Sequence, residues 1–213
     1  MVHYPLPSNS VSAILAWFFY FLYQSRKNYF LKQGVLFLEK EKGLVLVYTG
    51  NGKGKTTAAL GLALRAIGHG QRVFMLQFMK SDPHTGEAQA INQYLPHFKI
   101  VQAGKNKMLP DDSLIEDDPD VVRKGFSLGK KALLSGEYDL VIFDEINIVL
   151  ARGRLTVEEV LRMLDERPEH VNVVLTGRHA PEEIIDFADL VSEIKEIKHP
   201  FRRGIRARKG VEF

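Results

Sequence analysis

The chain has 213 residues, of which 45% are hydrophobic, and this length supports one substantial hydrophobic core. It contains no cysteine, which excludes disulfides, thiolate zinc sites, iron–sulfur clusters and cysteine nucleophiles and fits a cytoplasmic protein. The net charge of +3 is modest, and the basic segment "FRRGIRARKG" has few interleaved aromatic residues. We therefore expect no nucleic-acid partner.

An apolar run from Ala13 to Tyr23 lies near the amino terminus. It is shorter than the roughly 20 residues of a membrane-spanning helix, and it lacks the basic start and cleavage site of a secretory signal. It could be a helix that packs on the domain or on a partner subunit, a segment upstream of the natural start, or a peripheral membrane contact. We therefore treat residues 1–39 as an apolar arm of uncertain status and residues 40–213 as one domain.

From Lys40 onward, short apolar runs alternate with amphipathic stretches. This alternation is typical of an α/β domain with a mostly parallel sheet and helices on both faces. Several of the predicted strands are nearly continuous apolar runs, as expected for strands that are covered on both faces. The sheet should have about six strands, namely "LVLVYT", "RVFMLQFM", "FKIVQA", "DLVIFDE", "NVVLTG" and "LVSEIKEI".

Two of the connecting helices have recognisable end signals. Asp118 and Pro119 suit the N-cap and first turn of one helix, although its glycines weaken the prediction. In "LTVEEVLRMLDERP", Thr156 and Glu159 form a capping-box pattern that starts another helix. The apolar face of the first helix consists of Val122, Phe126, Gly129 and Leu133.

The segment "LVLVYTGNGKGKTTAALGLALRAIGHG" predicts a phosphate-binding loop between a strand and a helix. Only three residues separate Gly50 from Gly54, whereas the usual GxxxxGK[ST] pattern has four. When the loop is aligned from its GKT end, Thr49 takes the place of the first glycine. A glycine-rich turn without a ligand is the weaker alternative. The predicted nucleotide-binding residues are Gly50, Asn51, Gly52, Lys53, Gly54, Lys55, Thr56 and Thr57.

Two acidic residues end the strand in "YDLVIFDEIN". Within the phosphate-loop pattern, Lys55 would contact phosphate oxygens and the Thr56 hydroxyl would bind Mg²⁺. Asp144 or Glu145 would then complete the metal site at the same edge of the sheet, and which of them binds the ion directly is open. Alternatively, these carboxylates only cap a helix.

A further polar turn follows the strand in "VVLTGRHAPEE". Arg178 could neutralise phosphate charge through its planar guanidinium group. Alternatively, it pairs with the nearby Glu182 or Glu183. The strand in "LQFMK" ends at the same edge and adds two weaker candidates, Gln77 and Lys80.

Taken together, these segments resemble the P-loop type of corrinoid adenosyltransferase, from about Gly43 to Phe213. The resemblance rests on "YTGNGKGKTTAALGLALRAIGHG", "LQFMK", "GEYDLVIFDEIN", the stretch "VEEVLRMLDERPEHVNVVLTGRHAPEEIIDFADLVSEIKEIKHPF" and the ending "GIRARKGVEF". The shortened loop is that family's own variant. The resemblance implies a P-loop NTPase-like fold and transfer of the 5′-deoxyadenosyl group of ATP to the cobalt of a reduced corrinoid, with triphosphate as leaving group.

The resemblance also implies roles for individual residues. Gly50 to Thr56 would bind ATP, Thr56 and Glu145 would support Mg²⁺ or Mn²⁺, and Arg178 would contact the triphosphate. Lys55, Glu145 and Arg178 are accordingly the catalytic candidates. The implied partners are the corrinoid, a flavin-dependent reductant and a second copy of the chain in a homodimer.

One region departs from the family pattern. Many members have an aromatic "GFTW"-like stretch after the third strand, whereas this chain reads "VQAGKNKMLPDD", with Lys105 and Lys107 in place of aromatics. Either Met108 and Leu109 supply an apolar wedge, or the corrinoid arrives in a different state.

Two other functions compete with adenosyl transfer. A P-loop ATPase or small-molecule kinase would use the same lysine, threonine and acidic pair for attack at the γ-phosphate, and it would produce ADP. A nucleic-acid-binding ATPase would use the basic tail and would bind oligonucleotides in a salt-dependent way.

Overall fold

The structure is a computed structural model that describes residues 29–32, 35–38, 41–104 and 118–211. The chain divides into two units, Met1–Lys42 and Gly43–Phe213. In the first unit, β1 (Tyr29–Lys32) and β2 (Val35–Leu38) pair antiparallel, with Tyr29 opposite Leu38. This hairpin was not predicted from the sequence, and the apolar run Ala13–Tyr23 lies outside the described residues.

The second unit is built on a sheet of six parallel strands in the order β5-β4-β6-β7-β3-β8. All six predicted strands are present, so the predicted fold class is confirmed. The last strand is shorter than the predicted segment, which continued to Ile197. The strands are β3 (Val45–Thr49), β4 (Val73–Phe78), β5 (Phe98–Ala103), β6 (Leu140–Asp144), β7 (Asn172–Thr176) and β8 (Leu190–Glu193).

Helices cover both faces of the sheet, as predicted. One buried cluster joins the sheet to α1 and α2, and the other joins it to the four later helices. A 3₁₀ turn, Pro200–Arg203, follows the last strand. The helices are α1 (Lys55–Gly68), α2 (Gly86–Tyr94), α3 (Pro119–Leu134), α4 (Ile146–Ala151), α5 (Val157–Asp165) and α6 (Glu182–Phe187).

Small side chains determine how closely two of these helices approach the sheet. The buried face of α1 consists of Ala59, Ala63 and Ala66 besides Lys55. In α3, a Cβ atom at Gly129 would lie 2.5 Å from Cε1 of Phe143. The glycines of α3 that weakened its prediction from sequence therefore lie where the helix packs closely against the sheet. The helix continues through them without a break.

The predicted helix ends are confirmed. The Asp118 side chain accepts a hydrogen bond from the Asp120 backbone at 2.9 Å, and Pro119 begins α3. Thr156 and Glu159 form both bonds of the capping box at the start of α5. Among the described residues, no helix is long and apolar enough to span a membrane.

Candidate active site at the carboxyl edge of the sheet

The phosphate loop connects β3 to α1 and lies against the segment that follows β8. Gly50 and Gly54 have φ angles of 94° and 119°, which favour glycine over any residue with a side chain. Gly52 donates its N–H to the Ile194 carbonyl at 2.7 Å, and a Cβ atom at Gly52 would lie 2.7 Å from that oxygen. The loop glycines therefore serve two needs, positive φ angles and close packing on a neighbouring strand end.

The Lys55 side chain packs against this loop and is hydrogen-bonded to it. Its side chain is buried, and its Nζ donates to the carbonyls of Gly50 at 2.8 Å and Gly52 at 2.6 Å. Desolvation lowers the pKa of Lys55, an effect that the nearby Glu145 carboxylate opposes. A cation held here lies at the amino terminus of α1, where backbone N–H groups and the helix dipole also favour an anion.

Asp144 is fully buried at the end of β6. Its Oδ1 accepts hydrogen bonds from the hydroxyls of Thr56 at 2.9 Å and Thr176 at 2.7 Å. Its Oδ2 accepts from Nε2 of Gln77 at 3.2 Å and lies 3.4 Å from Nζ of Lys80. Since Thr56 donates its only hydrogen to Asp144, the lone pairs of its oxygen stay available to a cation.

Glu145 differs from its neighbour. It adopts a left-handed backbone with a φ of 64°, and its N–H donates to Oγ1 of Thr176 at 2.9 Å. Its Oε2 is buried and has no hydrogen-bond partner among the described residues. Burial raises the pKa of Glu145, and the Asp144 carboxylate adds to that rise.

The unpartnered oxygen of Glu145 and the hydroxyl of Thr56, two residues that line the same cavity, fit a divalent cation. In the part of the chain that the structure describes, no group of three or more histidine, cysteine or acidic side chains could hold a metal alone. Mg²⁺ is usually bound through one or two carboxylates together with substrate phosphates, so these residues suit an ion that arrives with a nucleotide.

The phosphate loop from Gly52 onward, Lys80 and Glu145 line a cavity of about 560 Å³. Arg178 lies on its wall, and it forms no ion pair with Glu182 or Glu183 within the described ranges, so the alternative pairing is not borne out. Asn51 lines a neighbouring cavity instead. The predicted residues that line the main cavity are Gly52, Lys53, Gly54, Lys55, Thr56, Thr57, Lys80, Glu145 and Arg178.

Part of the cavity wall consists of residues that were not predicted from the sequence. His199 lies there, with its Nδ1 accepting the Phe201 N–H at 3.2 Å. Glu87 joins the wall from the start of α2, and Gly210 and Val211 contribute from the carboxyl-terminal segment. No local pattern marks these residues, because the return of the chain to the cavity depends on tertiary structure. Lys105, Lys107, Met108 and Leu109 lie outside the described residues.

Comparisons with known proteins agree with this geometry. A family described as ATP:corrinoid adenosyltransferase BtuR/CobO/CobP matches residues 41–213. A corrinoid adenosyltransferase of Escherichia coli strain K12 is 37% identical over 175 residues, which cover 82% of this chain and 88% of the relative. One from Sinorhizobium is 41% identical over 177 residues, 81% of each chain.

A more distant relative and a solved structure extend the comparison. The Pseudomonas aeruginosa corrinoid adenosyltransferase is 34% identical over 188 residues, covering 88% of this chain and 92% of its own. The flagellar accessory protein FlaH from Methanocaldococcus jannaschii has a similar structure, with a TM-score of 0.50 and 14% identity over 72% of this chain and 71% of its own. This structural likeness supports the fold alone.

Proposed function

This chain belongs to the ATP:corrinoid adenosyltransferase family and is an ATP-dependent enzyme that adenosylates corrinoids, and we propose that its cavity holds the triphosphate of ATP during the transfer. The observation that carries the proposal is the convergence of the phosphate loop, Lys55, Glu145 and Arg178 on one cavity. Each of these groups suits a phosphate chain or its metal ion.

The proposed reaction is a substitution at the ribose C5′ atom. The cobalt of the reduced corrinoid substrate, Co(I), supplies an electron pair that forms the Co–C bond. The C5′–O5′ bond breaks, and its electron pair leaves with the triphosphate. Because the corrinoid is itself the nucleophile, the protein has to align the two substrates and stabilise the leaving group.

The protein groups on the cavity wall supply that stabilisation. Backbone N–H groups of the phosphate loop, Lys55 and the guanidinium of Arg178 would interact most strongly when the triphosphate carries the additional negative charge. Lys55 is already fixed by two loop carbonyls, so little reorganisation is needed during the reaction.

Thr56 and Glu145 would hold Mg²⁺ or Mn²⁺, with Asp144 orienting the Thr56 hydroxyl. The ion, when bound, supplies positive charge to the phosphate oxygens. Assignment of the direct contact to Glu145 is supported by its unpartnered Oε2, whereas both oxygens of Asp144 have partners. Neutralising Glu145 should therefore raise the metal concentration needed for half-maximal activity.

The experiment combines the protein, ATP, Mg²⁺ and chemically reduced corrinoid. Adenosyl transfer changes the visible spectrum to that of a light-sensitive Co–C product and releases triphosphate. Glu145→Gln should require more metal, and Glu158→Gln, at an exposed glutamate of α5, is the matched control. Release of ADP or phosphate without the spectral change would refute the proposed reaction.

The γ-phosphate alternative, a P-loop ATPase or kinase, is not favoured by the family of the chain or by its relatives. It remains separable by its product, because attack at phosphorus gives ADP. A sample of protein and ATP without corrinoid measures the background release of ADP.

Three further proposals concern the setting of the enzyme. The functional form is a cytoplasmic homodimer, and a flavin-dependent reductant supplies the electron that converts Co(II) to Co(I). Residues 40–213 form the domain that binds ATP, so deletion of residues 1–38 should leave a folded, ATP-binding protein. Sedimentation tests the dimer. A reduced flavoprotein mixed with the enzyme and Co(II) corrinoid tests the electron source, because the bound corrinoid should be reduced. Loss of soluble protein after the deletion would contradict the domain boundary.

A further inference from the structure

Positive φ angles mark three turns at one edge of the sheet. In the described part of the chain, the non-glycine residues with positive φ are Met79 at 60°, Glu145 at 64° and His179 at 58°. They follow β4, β6 and β7, which are adjacent strands. Residues with side chains rarely adopt this backbone conformation, and those that do cluster at functional sites.

Each of these turns places one charged residue on the cavity wall. Glu145 does so itself, Arg178 directly precedes His179, and Lys80 directly follows Met79. Glu145 and Arg178 have roles in the proposed reaction, whereas Lys80, a weaker candidate from the sequence, has no role in it. We propose that Lys80 is a further catalytic residue that contacts the triphosphate from the β4 end of the cavity, an inference that rests on the proposed function.

The position of the Lys80 ammonium supports this role. Its Nζ lies 3.4 Å from Oδ2 of Asp144 and 3.5 Å from Oε1 of Glu87, and its side chain is 31% exposed. Two carboxylates from different elements thus hold the group at the cavity wall. Because an ammonium has three donor hydrogens, it can contact a phosphate oxygen while keeping these neighbours.

The backbone of Lys80 is held as well. The Met79 N–H donates to the Ala103 carbonyl at 3.2 Å, which ties the turn after β4 to the end of β5. A Cβ atom at Gly104 would lie 2.7 Å from both the N and the O atoms of Lys80. The neighbouring strand therefore supports the turn at a distance that only glycine permits.

Charge balance gives Lys80 its chemical role. As the C5′–O5′ bond breaks, the electron pair stays on the triphosphate, whose negative charge increases while no proton is transferred. Lys80 would stabilise that charge together with Lys55 and Arg178, which lie on the same cavity. A phosphate contact by an ammonium is a charge-assisted hydrogen bond, and such bonds are stronger than neutral ones.

The test measures tripolyphosphate binding in the presence of EDTA. Removing divalent metal excludes any effect that Lys80 has on the metal site through Asp144. Lys80→Met should weaken binding by about 10- to 100-fold, and Lys80→Arg should recover most of the affinity. Lys99→Met, at an exposed lysine of β5, should match the wild type.

Two outcomes would overturn the proposal. One is equal tripolyphosphate affinity in wild type and Lys80→Met. The other is a loss of adenosyl transfer by Lys80→Met without a loss of affinity, which would mean that Lys80 only positions Asp144. If Lys80→Met does not fold, Lys80→Gln retains a polar group beside both carboxylates and is held to the same criteria.

Measurements on the wild-type protein distinguish a failure of the Lys80 proposal from a failure of the proposed reaction. Wild type that releases ADP instead of triphosphate from ATP and reduced corrinoid refutes the proposed reaction, whatever Lys80 does. Wild type that transfers the adenosyl group, together with a Lys80→Met variant of unchanged affinity, refutes the role of Lys80 alone.

Discussion

The carboxyl edge of the sheet and the helices α3 and α5 differ in how well their backbone and polar groups are satisfied. At the edge, three non-glycine residues of the described chain have positive φ, and one oxygen of Glu145 is buried without a partner. In the helices, Asp118 caps α3, and the capping box of α5 makes both of its hydrogen bonds.

This difference indicates where the protein keeps conformations that are useful for the reaction but unfavourable for stability. Strained backbone and unpaired polar groups persist when the surrounding structure fixes them, and they are typical of functional sites. Substitutions at the edge should therefore alter the reaction more than stability, and substitutions in α3 and α5 should do the reverse.

The largest expected effect is that of Lys55→Ala, which removes the ammonium that donates to the Gly50 and Gly52 carbonyls of the phosphate loop. We expect the rate of adenosyl transfer to fall by about 10³-fold, the loss typical of removing a major charge-stabilising group. The melting temperature should change little, because the buried ammonium is itself desolvated. Single-turnover spectroscopy measures the rate, and thermal unfolding measures the melting temperature. A large loss of stability with a modest loss of rate would contradict the expected difference between the sheet edge and the helices.

Gly52→Ala should come next. The new Cβ would lie 2.7 Å from the Ile194 carbonyl oxygen, so the loop or the segment after β8 has to move. A displacement of about 1 Å in a positioning element can lower a rate by about 100-fold. The same assay applies, and a rate equal to that of wild type would show that the loop tolerates the shift.

Much of this edge could be predicted from sequence, because its parts are either contiguous or end a strand. The loop from Thr49 to Thr57 is one segment, Asp144 ends a recognisable buried strand, and Arg178 follows another. The contacts of Lys80 with Asp144 and Glu87 could not be predicted, since they depend on strand order and on the turn at Met79. The return of His199 to the cavity likewise depends on tertiary packing.

In the helical layer, Gly129→Ala should lower stability and leave the reaction unchanged. Its Cβ would meet Cε1 of Phe143 at 2.5 Å, and overpacking of this kind costs about 1–3 kcal/mol, reduced by the better helix propensity of alanine. Gly61→Ala in α1 is the matched control, since no described atom outside its chain neighbours and its own helix backbone lies within 4 Å of its Cβ position. Urea unfolding should show destabilisation in the first variant and a small stabilisation in the control. A Gly129→Ala variant as stable as wild type but with reduced turnover would contradict the expected difference between the sheet edge and the helices.

His179→Gly should lower activity without lowering stability. His179 is exposed with a φ of 58°, so glycine relieves strain there and should leave the protein as stable as wild type or up to about 1 kcal/mol more stable. The adjacent Arg178 would lose support, and we expect turnover to fall about tenfold. His97→Gly, at an exposed histidine without positive φ, should instead lose stability. Lower stability of His179→Gly would mean that the turn is not strained.

The smallest effect concerns the capping box of α5. Thr156→Ala removes the hydroxyl that accepts the Glu159 N–H and should cost about 1 kcal/mol in the free energy of unfolding, with adenosyl transfer unchanged.

The Thr156 N–H, which donates to the Glu159 carboxylate, and the Arg123 side chain both lower the pKa of Glu159 below its ordinary value of 4.5. A carboxyl group whose pKa is lower in the folded state stabilises the protein above its unfolded pKa, and this contribution is lost as the pH falls through the folded pKa. The stability difference between wild type and Glu159→Gln should therefore be largest near neutral pH and disappear in acid. A difference that persists unchanged below the folded pKa would mean that the ionised carboxylate is not what holds the first turn of α5.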